Sequence, residues 1–312
     1  MRECKSALLA IVLALCVGTA SIGQTLDVGL YVLGTEGAVL YSGWPLLLNV
    51  SFANQQAYND YLYNLDVETQ LNDLAELVDA GTVTEAEAAS LREALALREI
   101  TPVVLGTESN LWTEFISFES SDGALPWAIE LLAEDVSSVL VLDETGSADA
   151  WYGLDADASA EVSPGVYEVS VVVSTELVSS LPAGTWTGRA SSQPVRIDVR
   201  AEPELTEVVL ARKWVVFGQD ALYRGTFEAA EAYLADAVAL DPTSLDAWCL
   251  LGEAQAALGK LEEALDSFRR ALELALLEPA YLYRDEPPDY LYDRIAWLQE
   301  ELGVMPTPEE EP

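Results

Sequence analysis

Histidine is absent from all 312 positions. That removes His-based triads, HExxH zinc sites and imidazole acid/base chemistry together. An enzyme would have to work with paired carboxylates flanking a glycosidic bond, yet the sequence shows no pocket signature and no D-[TS]-G motif, so a non-catalytic chain is expected. The run "DETGSADAWYGLDADAS" places Asp143, Glu144, Asp149, Asp155 and Asp157 close in sequence. Oxygen ligands of this kind suit a divalent cation such as calcium, although EF-hand spacing and its glycine are missing and a solvated loop is the alternative. Trp44, Trp112, Trp127, Trp151 and Trp186 would either stack on sugar rings or pack in a core. Cys249 adjoins no Lys, Arg or His in sequence, so a small buried hydrophobe is expected rather than a reactive thiol. No cofactor is expected.

The net charge is −38, from 53 acidic and 15 basic residues. Such a surface repels nucleic acid and anionic lipid, whose phosphates need Lys and Arg. The acid is dispersed rather than blocked, which fits a solvated surface tuned to a salty exterior or to divalent cations. The first residues, "MRECKSALLAIVLALCVGTASIGQ", have a weakly basic start, an apolar run from Ala7 to Val17 and small residues before Gln24. A secretory signal peptide over 1–23 is expected, with an uncleaved anchor as the alternative; the apolar run is short of the roughly 20 residues that span a bilayer. Bulky Leu15 disfavours lipid attachment at Cys16. With Cys4 and Cys16 in that segment, Cys249 stands alone and no internal disulfide is expected in a secreted or periplasmic mature protein.

Residues 24–200 read mainly as strands. "PLLLNVSF" alternates Leu46, Leu48, Val50 and Phe52 against Leu47, Asn49 and Ser51. "VYEVSVVVS" and "VRIDV" do the same through Tyr167, Val169, Val171, Val173 and Val195, Ile197, Val199. Period two implies one buried face per strand. Two packed antiparallel sheets are expected, as in an immunoglobulin-like β-sandwich. Within them, 67–99 has helical spacing: Leu71, Leu74, Leu77 and Val78, a stop at Gly81, then Thr84 and Glu87 opening a second helix with Leu91 and Leu95. This hairpin is similar to short helix-turn-helix units found at the ends of bacterial proteins. It either packs its leucines on a sheet edge or docks a partner.

Beyond Glu202 the chain turns helical, and 204–303 form a second unit followed by a tail, 304–312, expected to be disordered. A shift of 34 residues superposes Trp214 on Trp248, Phe217 on Leu251, Gly218 on Gly252, Gly225 on Gly259, Ala230 on Ala264, Leu234 on Phe268 and Ala237 on Ala271. Seven matches at one period resemble the tetratricopeptide repeat (TPR), which has this length and the pattern W-x2-L-G…G…A-x3-F-x2-A…P. The resemblance covers two copies over about 211–278. Gly252 lets the second helix approach, Gly259 ends the first, Ala264 and Ala271 are the small groups expected to face Gly252, and Phe268 fills the space between repeats. Ala221 and Gln255 replace the aromatic usual in mid-helix, and Leu276 stands where the first copy has Pro242.

The resemblance implies a solenoid in which each hairpin leaves one apolar face to be covered by the next. A closing helix with Tyr290, Ile295, Trp297 and Leu298 is expected after the second copy. Two repeats and a cap are fewer than usually stand alone, so the array should lean on the strand region. The resemblance also implies a concave groove for a peptide or another protein, lined by Arg212, Val215, Gln219, Leu222 and Tyr223 in the first copy and by Asp246, Cys249, Glu253, Ala256 and Ala257 in the second. That groove is mixed and mostly uncharged. It lacks the basic cluster that would clamp an acidic C-terminus, and either lies open or is covered by the N-terminal region or the cap. The resulting expectation is an exported scaffold for protein–protein interaction; the alternative is a carbohydrate- or surface-binding module reading through its tryptophans.

Overall fold

A computed structural model describes residues 26–33, 39–95, 97–106, 111–120, 123–125, 127–132, 139–143, 147–176, 181, 183–277 and 289–303. The expected signal peptide and tail lie outside them.

Alternating sequence produces two main sheets over one core. The first runs β1 (Asp27–Leu33), β3 (Leu46–Ala53), β9 (Ser147–Leu154) and β7 (Glu130–Leu131), all antiparallel. The second runs β2 (Val39–Tyr41), β12 (Val195–Arg200), β10 (Gly165–Ser174), β5 (Ile116–Ser120) and β6 (Gly123–Ala124), with β11 (Arg189–Ser191) also on β10. Register sets the inward residues opposite one another: Leu48 meets Val32 and Tyr152, and Val50 meets Leu30 and Ala150. Tyr167 meets Ile197, and Val171 meets Phe118. These side chains from both sheets join a single cluster with Trp112, Trp127 and Trp186. A separate pair, β4 (Val103–Leu105) and β8 (Leu140–Leu142), adds Val103, Leu105 and Leu142 to that core.

Two features depart from the expected pair of antiparallel sheets with one dry face each. β12 pairs β2 in parallel, Val199 opposite Leu40, so the second sheet is mixed. The outward side of β3 is also buried, Leu47 at 0% and Asn49 at 9% exposure. A central strand covered on both sides loses the alternation in burial even where its sequence alternates.

The hairpin consists of α1 (Gln55–Asp79) and α2 (Glu85–Ala94). α1 begins twelve residues before the expected boundary: Asn54 accepts a hydrogen bond from the Ala57 N–H and ties its own amide to Thr101 and Leu142 carbonyls. The turn follows the sequence, with Gly81 at φ +67° and a reciprocal capping box between Thr84 and Glu87. The leucines pack on each other instead of on a sheet edge. Val67 and Leu95 gather Leu71 and Leu91, while Leu74, Val83 and Ala88 gather Leu77 and Val78.

After a short helix α3 (Ala156–Ala160), capped by Asp155, the C-terminal region is a run of helices: α4 (Glu207–Tyr223), α5 (Phe227–Leu240), α6 (Leu245–Ala257), α7 (Leu261–Leu277) and α8 (Asp289–Leu302). Gly225 and Gly259 take φ of +70° and +72° between the helices of each pair. There the Thr226 and Lys260 N–H groups close on the Ala221 and Gln255 carbonyls. A residue with a Cβ would be strained at either glycine.

Gly218 and Gly252 serve close approach. A Cβ on Gly218 would stand 2.4 Å from Leu234 Cγ, and one on Gly252 would stand 2.8 to 2.9 Å from three atoms of the Phe268 ring. The partner of Gly252 is thus the Phe268 ring itself and not Ala264 or Ala271, which sit fully buried in the cluster that joins α7 to α8. Leu234 clusters with Leu251 and Ala254 across the repeat boundary, and the Trp214 ring stacks on Tyr233 at 5.4 Å.

α8 closes the stack with Leu291, Ile295 and Leu298, all nearly inaccessible. Tyr290 and Trp297, expected in that face, are 43% and 41% exposed. The buried spacing of four and three residues fixes which stripe turns inward, and it excludes those two.

Candidate functional site

The first helices of the two repeats, α4 and α6, carry the candidate groove. Along α4, Val208, Arg212, Val215, Gln219 and Leu222 recur at alternating intervals of four and three, so they share one stripe, while Leu205 precedes the extended N-cap Thr206. Leu205 is 48% and Val208 62% exposed; Val215, Gln219 and Leu222 are half-buried and Arg212 is exposed. Leu222 also packs against the cluster that includes Leu234 and Leu251. The N-terminal half of this stripe therefore presents aliphatic surface.

Tyr223 is placed differently. Its ring stacks on Trp151 of β9 at 4.2 Å, with planes 21° apart, so it seats the first repeat on the strand region. Burial pushes the Tyr223 hydroxyl up, opposed by its hydrogen bond with Gln219, with the Glu253 charge adding to the rise. Beside it, Arg224 binds Asp220 through Nε at 3.0 Å and reaches Glu130 of β7 at 3.3 Å. Burial pushes the Asp220 carboxyl up, Arg224 opposes this, and Asp155 and Glu130 reinforce it. At the other end of α4, Glu202 accepts from Lys213 and from Trp44 Nε1, and these two hydrogen bonds hold its carboxyl low. The array does lean on the strand region, through these three contacts.

The second copy's positions are largely occupied from within. Cys249 is 7% exposed and packs, with Ala256 against the same cluster, on α8. Its thiol hydrogen-bonds Tyr290, and burial pushes it up to about 11. Glu253 receives both Nε and Nη2 of Arg294, at 2.8 and 2.7 Å. Only Asp246 and Ala257 of this set are exposed. Cap and strand region together thus cover Tyr223, Cys249 and Glu253, whereas the start of α4 stays open. Sequence spacing had no means of showing which half would be covered, because both covering groups come from distant chain. Val208 was missed, although it continues the same period toward the N-terminus of α4, and so was Leu205, which precedes the helix.

The thiol at Cys249 is a small buried hydrophobe in its packing. At pH 8 the native chain should react with a thiol reagent such as iodoacetamide about a hundredfold more slowly than the urea-unfolded chain. Equal rates in the two states would show that the α6–α8 contact is open in solution.

Other expected chemistry does not assemble. Among the described residues no three acidic or thiol groups gather as a metal site. Asp149 lies on β9 opposite Ser51, and Asp155 spends one oxygen on the Ala158 N–H at 2.7 Å; Glu144 lies outside the described residues. A divalent cation is therefore not supported, because strand and cap duties separate these carboxylates. Trp44, Trp112, Trp127 and Trp186 are between 3% and 8% exposed, and Trp151 is committed to Tyr223. Among the described residues no helix is long and apolar enough to cross a membrane.

Residues 215–276 match the family model of the tetratricopeptide repeat. No curated protein matches the chain. The matched span runs from the middle of α4 to the end of α7, so α4 to α7 are two such repeats, and α8 packs on the second as the next helix of the stack. Repeats of this kind point to protein–protein interaction or scaffolding.

Proposed function

We propose that this chain, whose C-terminal region carries tetratricopeptide repeats, is a non-catalytic exported protein that holds another protein outside the cytoplasm. The observation that carries this reading is the aliphatic start of α4: Val208 is exposed on the same helical stripe as Val215 and Leu222, and Leu205, two residues before the helix, is exposed as well. A partner helix or extended segment laid along that stripe would bury them, with Arg212 and Gln219 supplying polar contacts at the rim. The strand region supports the stack through the contacts of Tyr223, Arg224 and Lys213. Export rests on the N-terminal apolar run, and absence of catalysis on the lack of histidine.

Site-specific photocrosslinking tests the docking face. A benzophenone side chain at position 208 should yield a discrete adduct in extracytoplasmic extract, one at Asp236 on α5 should not, and Val208→Glu should abolish an adduct formed from position 215. Equal adducts from 208 and 236, or none from 208, would count against the groove. Fractionation tests export separately: the mature chain should lack about 20 N-terminal residues.

A further inference from the structure

A cleft of about 470 Å³ lies at the foot of the strand region, where β9, α3 and β10 meet. That is within the size range of small-ligand sites. Its apolar corner is made by Trp127 and Tyr167, whose rings meet edge to face with centroids 5.2 Å apart. Tyr167 is fixed by its hydroxyl donating to the Ser163 carbonyl at 2.9 Å. Three carboxylates from two elements line the cleft: Glu130 of β7, Asp155 at the start of α3 and Glu161 at its end. Glu130 meets Arg224 at 3.3 Å. Among the described residues neither Asp155 nor Glu161 has a cationic partner, and Asp155 gives only one oxygen to its helix cap.

The Trp127 ring, 8% exposed, lines the same cleft, and its Nε1 hydrogen has no acceptor among the described residues. A buried donor left unmatched costs free energy that a bound acceptor would recover. Aromatic rings beside uncompensated carboxylates attract one chemical class, an ammonium or guanidinium head, by ion pairing and by the ring quadrupole. A carbonyl next to that cation would suit the unmatched indole N–H.

We infer that the cleft bounded by Trp127, Tyr167, Asp155 and Glu161 binds an organic cation, and that its natural occupant is a lysine or arginine side chain presented by a protein. The protein's net charge of −38 would steer a basic partner toward it. The site is distinct from the α4 face, so either can fail alone.

Ligand-observed NMR on the full chain tests this with three probes: Nα-acetyl-lysine-N-methylamide, tetramethylammonium and the uncharged Nα-acetyl-leucine-N-methylamide. The lysine probe should bind at least about tenfold tighter than the leucine probe, and Glu161→Gln, alone or with Asp155→Asn, should weaken it by about five- to tenfold. Asparagine keeps the helix cap, and circular dichroism should show both variants folded. Tetramethylammonium binding as tightly as the lysine probe would assign the cleft to free small cations instead of a protein side chain, overturning the natural occupant. Equal binding of the lysine and leucine probes, or binding insensitive to Glu161→Gln, would overturn the site.

Discussion

Gly252→Leu should lower the stability of the helical region by about 3 kcal/mol, seen as a fall in the melting temperature at 222 nm. The direction is informative because helix propensity alone favours leucine over glycine by almost 1 kcal/mol. An exposed helical glycine would therefore be stabilised by the same change. Here the first added carbon would already lie 2.8 to 2.9 Å from the Phe268 ring, which is itself fully buried and has no space to retreat into. Gly218→Ala should act with the same sign, since its Cβ would stand 2.4 Å from Leu234 Cγ. A double-mutant cycle isolates the cause: combined with Phe268→Ala, the leucine should cost less than it does alone. Unchanged melting of Gly252→Leu would remove the close helix approach on which the repeat packing rests.

Phe268→Ala by itself should cost about 3 to 5 kcal/mol, the range for emptying a fully buried aromatic position. The loss should also be localised. Phe268 belongs to the cluster that holds Leu291, Ile295 and Leu298 of α8 against Leu265, Leu272 and Cys249, so α8 should be released first. Amide hydrogen exchange over residues 289–302 should accelerate before that of β3, β9 and β10, whose core is a separate cluster. Cys249 should become accessible to alkylation in the same variant. Uniform acceleration across both regions would mean that the two cores unfold as one unit.

The helical repeats were legible because their packing is written in small residues at fixed intervals. Gly225 and Gly259 occupy left-handed conformations that tolerate few other residues, and Gly218 and Gly252 occupy places where any Cβ collides. Backbone geometry imposes both constraints locally. The capping box at Thr84 and Glu87 was readable for the same reason, because its two hydrogen bonds span three residues of one turn. The first part of α1 was not. "QQAYNDYLYNLD" places Tyr58, Leu62 and Leu65 on a face that stays 43% to 49% exposed, so no buried stripe announced a helix, and only Asn54 as a cap marked its start.

The candidate site divides along the same line. The sequence by itself determined the repeat period, the first-helix positions able to line a groove, and the alternating faces of the long strands, since each follows from 3.6- or two-residue geometry acting within one element. Tertiary structure alone decided that β2 would join β12 in parallel, that Trp151 would seat Tyr223, that Glu253 and Cys249 would be claimed by α8, and that Tyr290 and Trp297 would stay outside. Those outcomes depend on contacts between residues 41 to more than 150 positions apart. Chain periodicity fixes which residues share a face, but the element that covers that face is chosen by whichever distant apolar surface has most water to lose.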